Sequence, residues 1–306
     1  MLALKTTIDP SLFHPKYWLS WLAILLLRIV AALPFKAKLI AGRCLGFLVF
    51  HLVKKRRHTV QTNVRLCFPE LNTAQQEKMV HDIFAANGIG FFEIAWAWWA
   101  NIDDIKNRYD IEGLEHIDAA KADGSGVLLV GAHFVHLDLC GLMTNHSSPI
   151  SVIYRKNNNP VFEYIITKGR ERFFEHVIER SDMRNIVRKL REGKTIWYSP
   201  DQDFGRDQAV FAPFFGVEAA TLVSTSRLAK MGRAKPVGIA HYRDPITHRY
   251  RIIISPVDTA FPTGDDHKDA VIINTMLEKA IRMQPEQYMW VHRRFKTRPE
   301  GEPSLY

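Results

Sequence analysis

Cysteine is scarce in this chain of 306 residues: Cys44, Cys67 and Cys140 are the whole complement. They are too few and too scattered for a disulfide framework, and no C-x-x-C pair offers half of a cysteine zinc site. Such usage fits a catalytic region that faces a reducing compartment. Glycine-rich nucleotide loops are missing as well. Neither G-x-G-x-x-G nor G-x-x-x-x-G-K-[ST] follows a strand-like segment, which excludes dinucleotide and P-loop chemistry. H-E-x-x-H and G-x-S-x-G are absent too, and with them the zincin and nucleophile-elbow signatures. There are no internal repeats, and no Gly/Ser or Pro linker divides the chain after residue 110.

Long apolar runs are nearly absent. A mean hydropathy of −0.13 leaves no room for a polytopic membrane protein. One run remains, YWLSWLAILLLRIVAALPF at 17–35, long enough to cross about 30 Å of hydrocarbon. Tyr17, Trp18 and Trp21 stand at one end as interface anchors do, while Arg28 interrupts the run and favours tilted or partial insertion. A signal peptide needs a stronger basic start and a small-residue cleavage site than this segment has. A buried core helix is the competing reading. Lys5 and Lys16 precede the run, whereas Lys36, Lys38, Arg43 and the basic residues 54–57 follow it. The positive-inside rule then puts the body of the chain in the cytoplasm, behind a single membrane anchor.

Acidic residues are in the minority: 41 Lys+Arg against 32 Asp+Glu give a net charge of +9. Anionic lipid, an acidic protein or nucleic acid profits from that balance. No RNP, zinc-finger or basic-zipper pattern occurs, so nucleic acid is not an expected partner. The KKRRH run at 54–58, next to an apolar segment, reads as attraction to an anionic membrane.

The remaining pattern is α/β. A basic helical stretch covers 37–66, and a second helix opens at Asn72-Thr73 with Glu77 nearby. It runs into Phe91, Phe92, Trp96, Trp98 and Trp99, which belong either to the core or to a membrane-interface face or acyl-groove wall. Strands are expected at 126–132, 151–155, 195–201, 236–243 and 249–255, and helices at 138–146, 161–175, 182–193, 220–232 and 267–283. This alternation predicts a mixed sheet flanked by helices. The expected organisation is a segment 1–36 carrying the anchor, then a catalytic domain 37–306 with a helical lead-in over 37–109 and an α/β core over 110–306.

Chemistry is expected directly after the strand GVLLVGA, at His133-Phe134-Val135-His136-Leu137-Asp138. Ligand sites in such sheets lie beyond the carboxyl ends of strands. A histidine there suits general-base work, and a carboxylate five residues on can hold its second ring N–H if His133 is in the loop and Asp138 in the first helical turn. Metal ligation by His133, His136 and Asp138, a core position for His136 and an acyl-cysteine at Cys140 are weaker alternatives. No cofactor or metal is expected.

His133-x4-Asp138 after a strand resembles the H-x4-(D/E) block of the glycerolipid acyltransferase superfamily. CFPE at 67–70, YRKNNNP at 154–160, WYSPDQDFG at 197–205, FAPFFGVEAAT at 211–221 and PEQYMWVHRRFKTRPEG at 285–301 resemble the late acyltransferases of lipid A biosynthesis. HPKYWLSWL at 14–22 is similar to the start of that family, so the likeness spans nearly the whole chain. PEQYMW and HRRFKTRPEG point to the branch that adds the first secondary chain, lauroyl or palmitoleoyl. Several members carry Glu where this chain has Asp138, which changes the reach of the carboxylate. The resemblance implies a glycerol-3-phosphate acyltransferase-like fold at the bacterial inner membrane. It also implies transfer of an acyl group from acyl carrier protein to a 3-hydroxyacyl hydroxyl of Kdo2-lipid IVA, with His133 as base and Asp138 orienting it. A myristoyltransferase of the same pathway and a lysophospholipid or glycerolipid acyltransferase are the alternatives. Arg155, Asn159, Arg170, Asp201 and Asp203 read as substrate contacts, each with a structural alternative: surface ion pair, turn, solvated helix face or Pro-Asp turn. The basic patch 293–298 suits Kdo carboxylates, bilayer lipid or the acidic carrier protein.

Overall fold

A computed structural model describes residues 8–306; Lys5, one of the flanking charges, lies outside them. The chain enters through four helices: α1 (Trp18–Ala32), α2 (Phe35–Leu52), α3 (Lys54–Cys67) and α4 (Thr73–Trp99). The expected stretch 37–66 is therefore two helices, broken at Val53, whose φ of −104° and ψ of 68° are not helical. Helix α4 opens on a capping box with Gln75 rather than Glu77. The Asn72 side chain accepts from Gln75 N, and the Gln75 side chain accepts from Asn72 N, each at 2.9 Å.

Helix α4 is the spine on which α1 and α2 rest. A Cβ added to Gly88 would lie 2.1 Å from Gly42 O, and one added to Gly46 would lie 2.2 Å from Phe84 O. Only glycine allows the backbones of α2 and α4 to touch in this way, a small-residue crossing familiar from helices in lipid. Helix α1 turns Ile24, Leu27 and Ala31 inward, and Ile24 and Leu27 join a cluster with Trp98 and Val161. Its other face, with Trp18, Leu19, Leu22, Leu25, Leu26 and Ile29, is exposed, and α2 adds Ile40, Phe47, Leu48 and Leu52. Among the described residues, Pro15–Ala32 is the one segment long and apolar enough to cross a membrane, and only 17% of it is buried. A core helix is mostly buried, so that competing reading is set aside, and an exposed apolar face of this extent marks a membrane or partner surface.

The α/β portion follows as α5 (Ile102–Ile105), β1 (Tyr109–Glu112), α6 (Glu115–Lys121), β2 (Gly126–Gly131), α7 (Leu137–Ser147), β3 (Ser151–Tyr154), α8 (Pro160–Glu171), β4 (Val177–Glu179), α9 (Met183–Arg191) and β5 (Thr195–Tyr198). The hairpin β6 (Ala209–Phe214) and β7 (Val217–Leu222) comes next, then α10 (Ser224–Gly232), β8 (Ala234–Arg243), β9 (Tyr250–Pro256) and α11 (Asp266–Met283). Seven strands form one sheet in the order β1-β9-β8-β2-β5-β3-β4. Every neighbouring pair is parallel except β8–β9, so the sheet is mixed, as expected. Strand β2 is buried at every position, which is why its sequence is continuously apolar rather than alternating.

Two features depart from the sequence reading. The short edge strands β1 and β4 were not expected, and the helix anticipated at 220–232 begins only at Ser224. Its first residues instead pair with β6 across a two-residue turn, Phe215-Gly216, both at positive φ (52° and 76°). That is the backbone of a type I′ hairpin. A buried ion pair ties α4 to β8: Arg243 Nη1 lies 2.6 Å from Glu93 Oε1, and the Tyr250 hydroxyl also donates to Glu93.

Candidate active site

Strands β2 and β5 are parallel neighbours with Val130 opposite Tyr198, so the loops leaving their carboxyl ends run side by side. His133 leaves β2 and Asp201 leaves β5. The imidazole Nδ1 lies 2.6 Å from Asp201 Oδ1, and the His133 backbone N–H donates to Asp201 Oδ2 at 3.0 Å. An ionised carboxylate only accepts, so Nδ1 carries the proton and Nε2 is the basic nitrogen. Nε2 has no partner among the described residues. The Tyr288 hydroxyl also stabilises the Asp201 carboxylate. The Asp201 side chain is 1% exposed, that of His133 28%.

Charge and burial oppose each other here. Burial alone lowers the His133 pKa, but the Asp201 charge and hydrogen bond overcome it and leave the imidazole above its ordinary value. Burial likewise pushes Asp201 up, yet the His133 charge and the bonds from His133 and Tyr288 bring it down to about 2.

His133 borders a cavity of about 440 Å³, a volume typical of small-molecule sites. Val152, Ile186, Trp197, Leu222 and Leu228 give it apolar walls, and Arg155, Arg180 and Gln202 also line it. Inside, the Tyr198 hydroxyl and Ser224 Oγ bond each other at 2.6 Å, so neither is left as an unpaired polar group.

The expected His133–Asp138 hydrogen bond is not formed. His133 is in the loop and Asp138 in the first turn of α7, as that pairing required, but Asp138 faces α4 and α8 and His133 faces Asp201. The Asp138 carboxylate accepts from Trp98 Nε1 at 2.9 Å and from Arg170 Nη2 and Nε at 2.8–3.2 Å. Arg170, expected to contact substrate, is spent on this pair and does not line the cavity. Asn159 is also committed to structure. Its Oδ1 caps α8 at Val161 N and Phe162 N, while its Nδ2 donates to Ser20 Oγ at 2.8 Å and fastens α1 to the catalytic body. Asp203 accepts from Gly205 N, Thr297 N and Thr297 Oγ1 within 2.9 Å, so it holds the chain end rather than a sugar. Of the five expected contacts, Arg155 alone is exposed at the cavity without a fixed partner, and Asp201 is the residue that meets His133.

Sequence reasoning missed the role of the chain's last segment. Val135 N donates to Gln287 O and Met289 N donates to His133 O, both at 2.9 Å, so residues 287–289 brace the His133 loop like an added strand. The basic patch at 293–298 is partly internal. Arg294 is buried and donates to Ala220 O (2.7 Å) and Thr221 Oγ1 (3.0 Å), and Arg298 donates to Glu218 O. Both guanidinium groups thus donate to backbone carbonyls inside the protein, and composition alone does not distinguish such an arginine from a surface charge.

His136 and Cys140 are completely enclosed. Burial, then the Arg243 charge, pushes the His136 pKa down to about 3, and burial raises the Cys140 thiol well above its usual range. A buried, protonated thiol is a poor nucleophile, which weighs against an acyl-cysteine. His136, Cys140 and His241 face one another in the core, so His136 has partners other than His133 and Asp138.

Residues 5–297 match the family model for bacterial lipid A biosynthesis acyltransferases. Over 297 residues, 97% of each chain, the sequence is 39% identical to the lipid A biosynthesis lauroyltransferase of Escherichia coli (strain K12). It is 36% identical over 294 residues, 96% of each chain, to the palmitoleoyltransferase of the same organism. To that organism's myristoyltransferase it is 31% identical over 302 residues, 97% of this chain and 93% of the relative.

Proposed function

The chain belongs to the bacterial lipid A biosynthesis acyltransferase family and is an acyltransferase, and from this premise we propose that it transfers a lauroyl or palmitoleoyl group from acyl carrier protein to the hydroxyl of a 3-hydroxyacyl chain on Kdo2-lipid IVA. The observation that carries the chemistry is His133, whose Nδ1 is tied to Asp201 while Nε2 is unpartnered beside an apolar cavity. Nε2 takes the proton of the acceptor hydroxyl as that oxygen bonds to the thioester carbonyl carbon. Asp201 stabilises the imidazolium that forms. When the tetrahedral adduct collapses, the C–S bond breaks, sulfur keeps the electron pair, and the imidazolium returns its proton to the thiolate. A thiol with an ordinary pKa of about 8.5 leaves readily, so no protein nucleophile is needed. Asp138 and Arg170 act as positioning residues that lock α4, α7 and α8 behind the base.

The apolar walls of the cavity suit an acyl chain, and Arg155 and Arg180 suit phosphate or carboxylate groups of donor or acceptor. The higher identity to the lauroyl and palmitoleoyl relatives supports the first-chain branch over the myristoyl branch. The exposed faces of α1 and α2, with Lys54 and Lys55 solvent-facing, support a single membrane anchor on an anionic inner membrane, with the catalytic body on the cytoplasmic side. The glycerol-3-phosphate acyltransferase-like fold implied by the His-x4-Asp block belongs to the same reading.

The test is an assay of the full chain with Kdo2-lipid IVA and lauroyl, myristoyl and palmitoleoyl carrier thioesters, read by mass. A lipid product heavier by one lauroyl or palmitoleoyl group is expected. Carrier release with no acylated lipid would make the chain a thioesterase, and acylation of lysophospholipid instead would move it to the glycerolipid branch.

A further inference from the structure

A second cavity, of about 340 Å³, opens where the two lipid-facing helices meet. Arg28 from α1, Lys38 from α2 and Arg108 from the loop before β1 line it, with Trp96 and Trp99 of α4 as aromatic walls. It shares no lining residue with the cavity beside His133.

Its charge is unbalanced. Three cations face one carboxylate, Asp104, and that carboxylate is already engaged by the backbone N–H of Asn101 in a capping box. Lys38 is 5% exposed, yet it has no hydrogen bond or ion pair among the described residues; its ammonium lies 3.9 Å above the Trp96 ring. Arg28 likewise has only the face of Trp99, at 5.4 Å. Arg108 spends its Nε on Asp104 O and keeps its remaining N–H groups. Buried cations are normally paired. Burial, reinforced by Arg108 and partly offset by Asp104, lowers the Lys38 pKa to about 8, so the protein itself does little to stabilise this ammonium. A point charge flanked by two guanidinium forks is a phosphate-binding set.

The surroundings select the source of that phosphate. Leu25, Leu26 and Ile29 on α1 and Ile40 on α2 are exposed on either side of the Leu33-Pro34 corner where the cavity lies. A ligand with acyl chains on those faces and a phosphate in the cavity satisfies both features; a free phosphate satisfies one. We propose that the cavity lined by Arg28, Lys38 and Arg108 binds the phosphate headgroup of a membrane lipid, at a site separate from the reaction centre.

The full chain is purified in dodecyl maltoside, and thermal unfolding is recorded with added phosphatidylglycerol, diacylglycerol or inorganic phosphate, alongside native mass spectrometry for retained lipid. Phosphatidylglycerol is expected to raise the melting temperature by roughly 3–6 °C at saturating lipid, with diacylglycerol and inorganic phosphate doing little. Lys38→Met is expected to melt no lower than the native chain in neutral micelles, because it removes a buried unpaired charge, and to lose the lipid-dependent rise. Arg28→Gln, at an exposed position, is expected to weaken the rise and decides the matter if Lys38→Met does not fold. The proposal is overturned if both variants keep the full rise, or if diacylglycerol or inorganic phosphate reproduces it. None of these readouts involves acyl transfer, so their failure is distinct from failure of the reaction proposed above.

Discussion

His133 and Asp201 stand 68 residues apart in the chain yet share two hydrogen bonds, one to the imidazole and one to the backbone amide. The double grip fixes both which ring nitrogen carries the proton and where the ring stands. On the proposed mechanism, the base is therefore in place only because β2 and β5 are neighbours.

Removing the base should remove transfer. His133→Ala is expected to lower kcat/KM by about 10²–10⁴ in a chain that is still folded and membrane-associated, though less stable because buried Asp201 loses its partner. Near-normal turnover in this variant ends the general-base assignment.

The pH profile separates Asp201 from a merely structural residue. A base works when unprotonated, and the His133 pKa is raised, so kcat/KM should rise with pH through a midpoint above the ordinary histidine value of about 6.5. Asp201→Asn removes the charge that opposes burial, so its midpoint should move down while the maximal rate falls. An unmoved midpoint would show that Asp201 does not act on the imidazole.

Asp138 should behave differently. Asp138→Ala leaves Arg170, with a side chain only 20% exposed, without its carboxylate. Breaking such a pair costs about 3–5 kcal/mol. Lower stability in denaturant is expected with the pH midpoint unchanged, and the double variant Asp138→Leu/Arg170→Met should recover much of the loss. A moved midpoint at native stability would return Asp138 to the role of orienting His133.

Acid stability should report the same pair. Asp201 is held near 2 in the folded chain, below the unfolded carboxylate value of about 3.9. As pH falls the unfolded state binds its proton first, so this contribution is complete above about pH 4 and is lost as pH falls through the folded value. His133 has the opposite sign: its contribution is complete below about 6.5 and is lost as pH rises through its raised folded value. Asp201→Asn should flatten the acid limb of stability measured by denaturant titration; an identical limb would contradict the depressed value.

Chain length should respond to the cavity wall. Ile186 is 1% exposed and lines the cavity. Ile186→Phe is expected to favour shorter acyl thioesters in mixed competition by about fourfold for each methylene excluded. An unaltered product ratio would place the acyl chain elsewhere.

Much of this architecture was legible in local sequence because it rests on local physics. The buried run of β2, the capping residue Asn72 and the apolar stripe of α1 each announce themselves within a dozen residues. The partner of His133 was not legible, although Asp201 was recognised as a strand-end carboxylate. Which strands are adjacent is a property of the whole sheet, and a carboxylate five residues away was the nearer candidate. The β6–β7 hairpin escaped notice because Phe215, not Asn or Asp, occupies the first left-handed turn position. Asn159, Asp203 and Arg294 carry polar chemistry suited to substrates, and the fold uses it to join distant segments.

The brace that residues 287–289 place on the His133 loop has a temporal consequence. During synthesis, α1 leaves the ribosome before the α/β portion, while the segment that braces the His133 loop follows every strand of the sheet. A half-made chain thus carries its exposed apolar helices but lacks the contacts that aim His133. On the mechanism proposed above, an unfinished chain displays its apolar face before it has the means to react.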